Sequence, residues 1–298
     1  MNELKKEFLH EAGKVILGKD KELTIALCTY LCSGHILIED IPGVGKTTFA
    51  KTLAKIFDLN FSRIQFTSDL LPSDILGAQI YNQQTHTFSV FKGPLFNQFI
   101  LADELNRASP KTQSSMLEAM EERQVSIDRE TFILPNPFFV VATQNPNTQI
   151  GTNLLPESQL DRFMVRISLG FPDSQDEKKL IAGFNASSKI NDVKCVLGFE
   201  SRKNLLEKIE LVKLSDKLIN YILDILNFTR KSGLTNSLSP RAGIDISKMS
   251  KTYAFLMGRD FVLPEDVKMV LPFVISHRLN LSNEQVEIQV IKNVKVDQ

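Results

Sequence analysis

Residues 35–54, HILIEDIPGVGKTTFAKTLA, constrain the fold of this chain more than any other stretch. The apolar run Ile36 to Ile38 predicts a buried parallel strand. Pro42, Gly43 and Gly45 punctuate it, and Phe49, Ala50, Leu53, Ala54 and Phe57 then recur at helical spacing. Strand, glycine-rich turn and helix in that order are the setting of a loop that wraps a phosphate group. Gly43 and Gly45 can take backbone angles that curl consecutive N–H groups, from Gly43 and Val44 on to Thr48, around an anion. The helix that follows points its positive end at the same anion. Lys46 is spaced to reach the β- and γ-phosphates of ATP, and the Thr47 hydroxyl to ligate Mg2+. The usual pattern, G-x-x-x-x-G-K-[ST], has glycine where this chain has Asp40. That position lies on the strand side, before the cradle, so the change removes no chemical group the loop needs.

A second motif supports the first. FNQFILADELNRASPKTQSSMLEAM carries an apolar stretch, Phe99 to Ala102, that ends in Asp103 and Glu104. A carboxylate at the end of a buried strand beside a phosphate loop holds Mg2+, and the acid after it polarises the attacking water as a general base. Adjacent acids after an apolar run are common alone; paired with the loop upstream they are specific. Ser109 and Pro110 read as the N-cap and first residue of a helix, with Met116, Leu117 and Met120 as its core stripe. FFVVATQNP predicts another buried strand, Phe138 to Ala142, ending in Thr143, Gln144 and Asn145. Polar groups at the carboxyl ends of strands in an open α/β sheet face the ligand, so Asn145 is a candidate to orient the attacking water or the γ-phosphate. Arg162 stands just before a further strand-like stretch.

Composition narrows the class. Lys plus Arg and Asp plus Glu are both 35, which gives no sign of a nucleic-acid partner. No run of 18 apolar residues predicts a membrane span, and the charged opening MNELKKEFLHEAGKVILG has no signal-peptide core. Three cysteines are too few for a disulfide scaffold. Cys28 and Cys32 read as small residues of a buried helix, and the four histidines show no metal-ligand spacing. A cytoplasmic protein is expected.

Five stretches together resemble the MoxR family of AAA+ ATPases: GHILIEDIPGVGKTTFAKTLA, FTSDLLPSDILGAQIYN, FKGPLFNQFILADELNRASPKTQSSMLEAMEERQV, FFVVATQNPNTQIGTNLLPESQLDRF and SLSPRAGIDISKMSKTYAFLMGRDFVLPEDV. They follow the family's order from about residue 12 to 280. Family members carry either Gly or Asp at the place of Asp40. The resemblance implies roles one residue at a time. Lys46 and Thr47 match the Walker A lysine and hydroxyl; Asp103 and Glu104 match the Walker B acids; Asn145 matches sensor 1. Arg162, in LDRF, matches the arginine finger that acts in the neighbouring subunit's site. Arg241, in SPRA, matches sensor 2, which is expected to touch the γ-phosphate in its own chain. Val15 to Lys19, including Gly18, match the segment beside the adenine, although Lys19 stands where the family often has Gln. Arg107, in NRA, is a family hallmark for a subunit boundary or the pore.

The implied architecture is an α/β AAA+ phosphate-loop ATPase core, a parallel sheet between helices, over residues 1–172. A hairpin insert is expected around 67–94, and a C-terminal all-helical lid over 173–298. In the lid, Leu218, Ile219, Ile222, Leu223 and Leu226 are expected to form one core-facing stripe, and Pro272 to kink its helix. The resemblance further implies a homo-oligomer, in this class a hexamer, that remodels or matures partner proteins, often partners with a von Willebrand A domain. Two other readings share the core: a nucleic-acid translocase, and a metal-insertion motor subunit like that of magnesium chelatase.

Overall fold

The computed structural model describes residues 2–84, 86–128, 130–145, 153 and 155–295. Its first half runs α1 (Glu3–Gly13), α2 (Asp20–Leu31), β1 (Ile36–Glu39), α3 (Lys46–Ile56), β2 (Phe61–Gln65), α4 (Pro72–Leu76), β3 (Gly77–Asn82), β4 (Thr87–Lys92), β5 (Phe99–Asp103), α5 (Pro110–Glu122), β6 (Gln124–Ile127), β7 (Glu130–Ile133), β8 (Phe139–Gln144), α6 (Glu157–Leu160) and β9 (Val165–Ile167). From there the described residues are helical: α7 (Ser174–Ile181), α8 (Ala186–Lys189), α9 (Phe199–Glu210), α10 (Asp216–Lys231), α11 (Pro240–Leu256), α12 (Pro264–Leu279) and α13 (Asn283–Val286).

The main sheet is parallel, in the order β2-β5-β8-β1-β9. Its central strands β5, β8 and β1 are largely apolar runs because both faces are covered, whereas β2 and β9 carry polar residues. Side chains alternate across the sheet, so Ile36, Ile38, Phe99, Leu101, Phe139 and Val141 join one core, while Leu37, Ile100, Ala102, Val140 and Ala142 join the other. Met116, Leu117 and Met120 of α5 close the second core, as their spacing predicts. The first core continues past the sheet into the lid, through Val193 and Leu197 to Ile246, Val270 and Val290.

Two antiparallel hairpins leave the sheet layer. β3–β4 lies inside the segment expected to carry an insert. The hairpin β6–β7 has no counterpart in the sequence reading. The lid departs from expectation in α10. In α10 the buried face is Leu218, Tyr221, Ile222, Ile225 and Leu226, while Ile219 and Leu223 are 41% and 48% exposed. With seven large apolar residues in nine positions, the apolar surface exceeds one helix face, and the surplus lines an open cleft of about 740 Å3 with Ile244 of α11. Pro272 sits inside α12, which runs unbroken from Pro264 to Leu279.

Candidate functional site

β1 delivers the chain to the turn at the carboxyl edge of the sheet, and the turn becomes α3. Gly43 and Gly45 sit at φ +88° and +89°, in the region a side chain disfavours, and Gly45 is the N-cap of α3. The first residues of α3 are Lys46, Thr47 and Thr48, so its unpaired N–H groups face the loop's concavity. Lys46 Nζ donates to the Asp40 carbonyl at 2.5 Å and to Asn145 Oδ1 at 3.1 Å. Burial holds this ammonium below its ordinary range, against the opposing pull of Asp40, Asp103, Glu104 and Glu39.

β8 lies between β1 and β5, so Asn145 at its end stands between the lysine and the acid pair. Its Nδ2 donates to Glu104 Oε1 at 3.4 Å. The Thr143 hydroxyl donates to Asp103 Oδ1 at 2.7 Å and accepts from the Glu104 N–H at 2.9 Å. Glu104 itself adopts left-handed backbone angles, φ +57° and ψ +46°. For a side chain other than glycine this costs on the order of 1 kcal/mol or more, and such residues gather at functional sites. Lys46, Asn145, Asp103 and Glu104 thus form one hydrogen-bonded group.

Both acids have further partners that sequence spacing did not reveal. Arg63 holds Asp103 Oδ2 from Nε (3.1 Å) and Nη2 (2.6 Å). Gln65 Nε2 and Arg107 Nη1 hold Glu104 Oε2 at 3.0 and 2.9 Å. Arg63 and Gln65 alternate along β2, which pairs with β5 in register Gln65↔Asp103. Their one signal in the sequence is polarity near the carboxyl end of a strand.

Beside the loop lies a cavity of about 210 Å3 lined by Val15, Ile16, Leu17, Lys19, Val44, Thr48, Phe49, Leu169, Gly170 and Pro172. Its apolar walls suit a flat base. Gly18 does not line it. Gly18 instead packs against α7, where an added Cβ would stand 2.6 Å from Asp176 Oδ2. Lys19 Nζ donates to the Phe171 carbonyl at 3.0 Å.

The two remaining arginines lie together and elsewhere. Arg241 Nη2 meets Glu121 Oε2 at 2.5 Å, and Arg162 Nε lies 4.0 Å from the same oxygen. Glu121 lies in the last turn of α5 next to Met120, whose carbonyl meets His35, and near Arg123, which bonds the carbonyls of Ser33 and Phe138. Those are the amino ends of β1 and β8, the edge opposite the phosphate loop, and β1 alone separates the edges by about 13 Å. This corrects the expectation that Arg241 touches the phosphates of its own chain. The cause is the lid's anchorage: Ser239 bonds Asp161, and buried Arg278 binds Asp161, Asp245 and the Phe163 carbonyl.

The donor set suits magnesium. Thr47 and Asp103 offer a hydroxyl and a carboxylate, hard oxygens of the kind that hold Mg2+ together with phosphate and water. Among the described residues no group of three His, Cys, Asp or Glu side chains could hold a metal alone.

A phosphate loop facing an acid pair across a parallel sheet, with a helical lid behind, defines a AAA-type ATPase. The profile of the ATPase family associated with various cellular activities (AAA) matches residues 35–165, and that of the AAA lid domain matches 231–294. A Bacillus subtilis protein, YeaC, is 42% identical over 91% of this chain and 85% of its own length. The chaperone MoxR1 of Mycobacterium tuberculosis is 36% identical over 97% of this chain and 79% of its own. A solved structure from Cytophaga hutchinsonii, assigned as an ATPase, superposes with a TM-score of 0.87 at 38% identity, covering 99% of this chain and 95% of that one. The chain belongs to the MoxR family of AAA+ ATPases.

Proposed function

We propose that this ATPase works as a closed homo-oligomer, a hexamer, that uses Mg2+-dependent ATP hydrolysis to remodel or mature partner proteins. The observation that carries the reading is the separation of its two halves. Lys46, Asn145, Asp103 and Glu104 gather at one edge of the sheet, and Arg162 and Arg241 at the other. Glu104 polarises the attacking water, Asn145 orients it, and Lys46 leaves the Asp40 carbonyl for the phosphates. Thr47 and Asp103 would hold Mg2+, which would supply charge neutralisation to the phosphates. Arg63 gives up Asp103 for that. Arg162 and Arg241 leave Glu121 and together reach the nucleotide of the adjacent subunit. Arginines supplied in trans accelerate phosphoryl transfer by about 10³ to 10⁵.

The lid, in this reading residues 173–298, carries Arg241 to that boundary. A protein partner is supported by the MoxR1 relative, a chaperone by name. The aromatic surface of the β3–β4 hairpin, where Phe88 and Phe91 are each 67% exposed, gives such a partner something to grip. Partners with a von Willebrand A domain are the class the family resemblance favours. The free thiols of Cys28, Cys32 and Cys195 suit the reducing cytoplasm.

The test is ATP hydrolysis per subunit against protein concentration, with Glu104→Gln as the blank. The rate is expected to rise steeply with concentration, and the variant to bind ATP while hydrolysing it at least about 100-fold more slowly, the lower end of what a general base contributes. A per-subunit rate independent of concentration down to the monomer would sink the shared-site reading. Normal turnover in Glu104→Gln would remove that residue as the base.

A further inference from the structure

Asp40, where the motif has glycine, is one of the most connected residues of the site. It is 7% exposed. Its N–H donates to the Gln144 carbonyl at 3.3 Å, and its own carbonyl receives Lys46 Nζ. Its carboxylate turns the other way. Oδ1 accepts from the Ile41 N–H at 2.9 Å, while Oδ2 accepts from the Gly170 N–H at 2.6 Å and the Ser168 hydroxyl at 3.1 Å.

Residues 168–172 form the strap between β9 and α7. Leu169, Gly170 and Pro172 are a wall of the base cavity, and Phe171 holds Lys19 on the facing wall. The residue whose carbonyl parks the catalytic lysine therefore also fixes the strap that shapes the base cavity. A glycine at 40 keeps the carbonyl and loses every bond to the strap.

We infer that Asp40 is a positioning residue for the nucleotide: its carboxylate clamps the strap 168–172 onto the phosphate loop, so that phosphate binding and base binding act as one site. This rests on the assignment of Lys46 and the base cavity made above. It differs from a role for Asp40 in phosphate binding, because no carboxylate oxygen bonds the loop beyond Ile41.

Two ligands separate the possibilities: a fluorescent N-methylanthraniloyl ADP, which has a base, and inorganic tripolyphosphate, which has none. Asp40→Gly is expected to weaken the nucleotide about tenfold, the loss of hydrogen bonds to a charged acceptor, and to leave tripolyphosphate unchanged. Ser168→Ala removes one strap bond while leaving Asp40 in place, and is expected to weaken the nucleotide about threefold, again without effect on tripolyphosphate. It serves as the readout if Asp40→Gly does not fold. Equal weakening of both ligands, or no change in either, overturns the clamp. Lys46→Ala tests the underlying assignment separately, since it is expected to lose both ligands. If it binds both normally, the phosphate-loop site itself is wrong whatever Asp40 does.

Discussion

His35 and His277 take no part in the nucleotide chemistry, yet they set how the protein meets acid. His35 Nδ1 accepts from the Val140 N–H at 3.1 Å and Nε2 donates to the Met120 carbonyl at 3.4 Å, which defines a neutral ring. His277 Nε2 donates to the Phe163 carbonyl at 3.0 Å. Burial, with Arg123 beside one ring and Arg278 and Arg166 beside the other, holds both well below the ordinary histidine range. The unfolded chain protonates them near pH 6.5, and the folded one does not. Below that pH the unfolded state binds more protons, so stability falls as pH drops, with a limiting slope of about 1.4 kcal/mol per pH unit for each ring. Urea midpoints are expected to change little through these residues above pH 7 and to decline between 6.5 and 5.5; constant stability over that window would contradict neutral burial. At this scale the sequence spoke clearly for Lys46, Thr47, Asp103, Glu104 and Asn145, because strand ends and a helix start fix their relation. Arg63 and Gln65 were hidden because their contacts cross from one strand to the next, 39 or 40 residues away. Asp40 was visible as an exception, but its partners lie 128 and 130 residues on.

Elements built on two-sided burial were legible. β1, β5 and β8 are apolar runs of strand length with polar ends, and α5 announces itself through its Ser109 cap, whose hydroxyl oxygen accepts from the Thr112 N–H at 3.3 Å. Elements that build surface were less so. β6 alternates over only four residues and β7 does not alternate, and α10 has more apolar residues than one face can bury. The β3–β4 hairpin depends on its root. Gly77, at φ +102°, opens β3, and an added Cβ would stand 2.1 Å from the Phe91 carbonyl and 2.7 Å from the Gly93 nitrogen. Backbone cannot yield there as a side-chain tip can. Gly77→Ala is expected to cost about 1–3 kcal/mol and to loosen the hairpin locally. Limited proteolysis checks it: cleavage within residues 77–92 rises while nucleotide affinity, set at the far motif, stays level. Unchanged cleavage would mean the hairpin is held by something other than its root.

For the whole molecule, the sequence indicated an ATPase core and a helical lid, and misplaced Arg241. That position depends on how the lid docks, through Arg278, Asp161 and Asp245, which are far apart in the chain. The corrected placement makes a mixing experiment decisive. Arg162→Ala and Glu104→Gln subunits are each expected to be nearly inactive alone. Mixed in equal amounts, about a quarter of the junctions pair an intact acid with an intact arginine, so about a quarter of the wild-type rate should return. Absence of recovery, with mixed assemblies verified by differently tagged subunits, would return the arginine to its own chain. Since the loop and the arginine pair occupy opposite edges of one sheet, a file of subunits has a head and a tail. With pockets shared between neighbours as proposed above, any open file would hold one fewer complete pocket than it has members, because the last loop would look out on water. Closure alone would repair that orphan, so an arc would be more than a diminished circle: it would always carry one idle end, where nucleotide could bind and wait unspent.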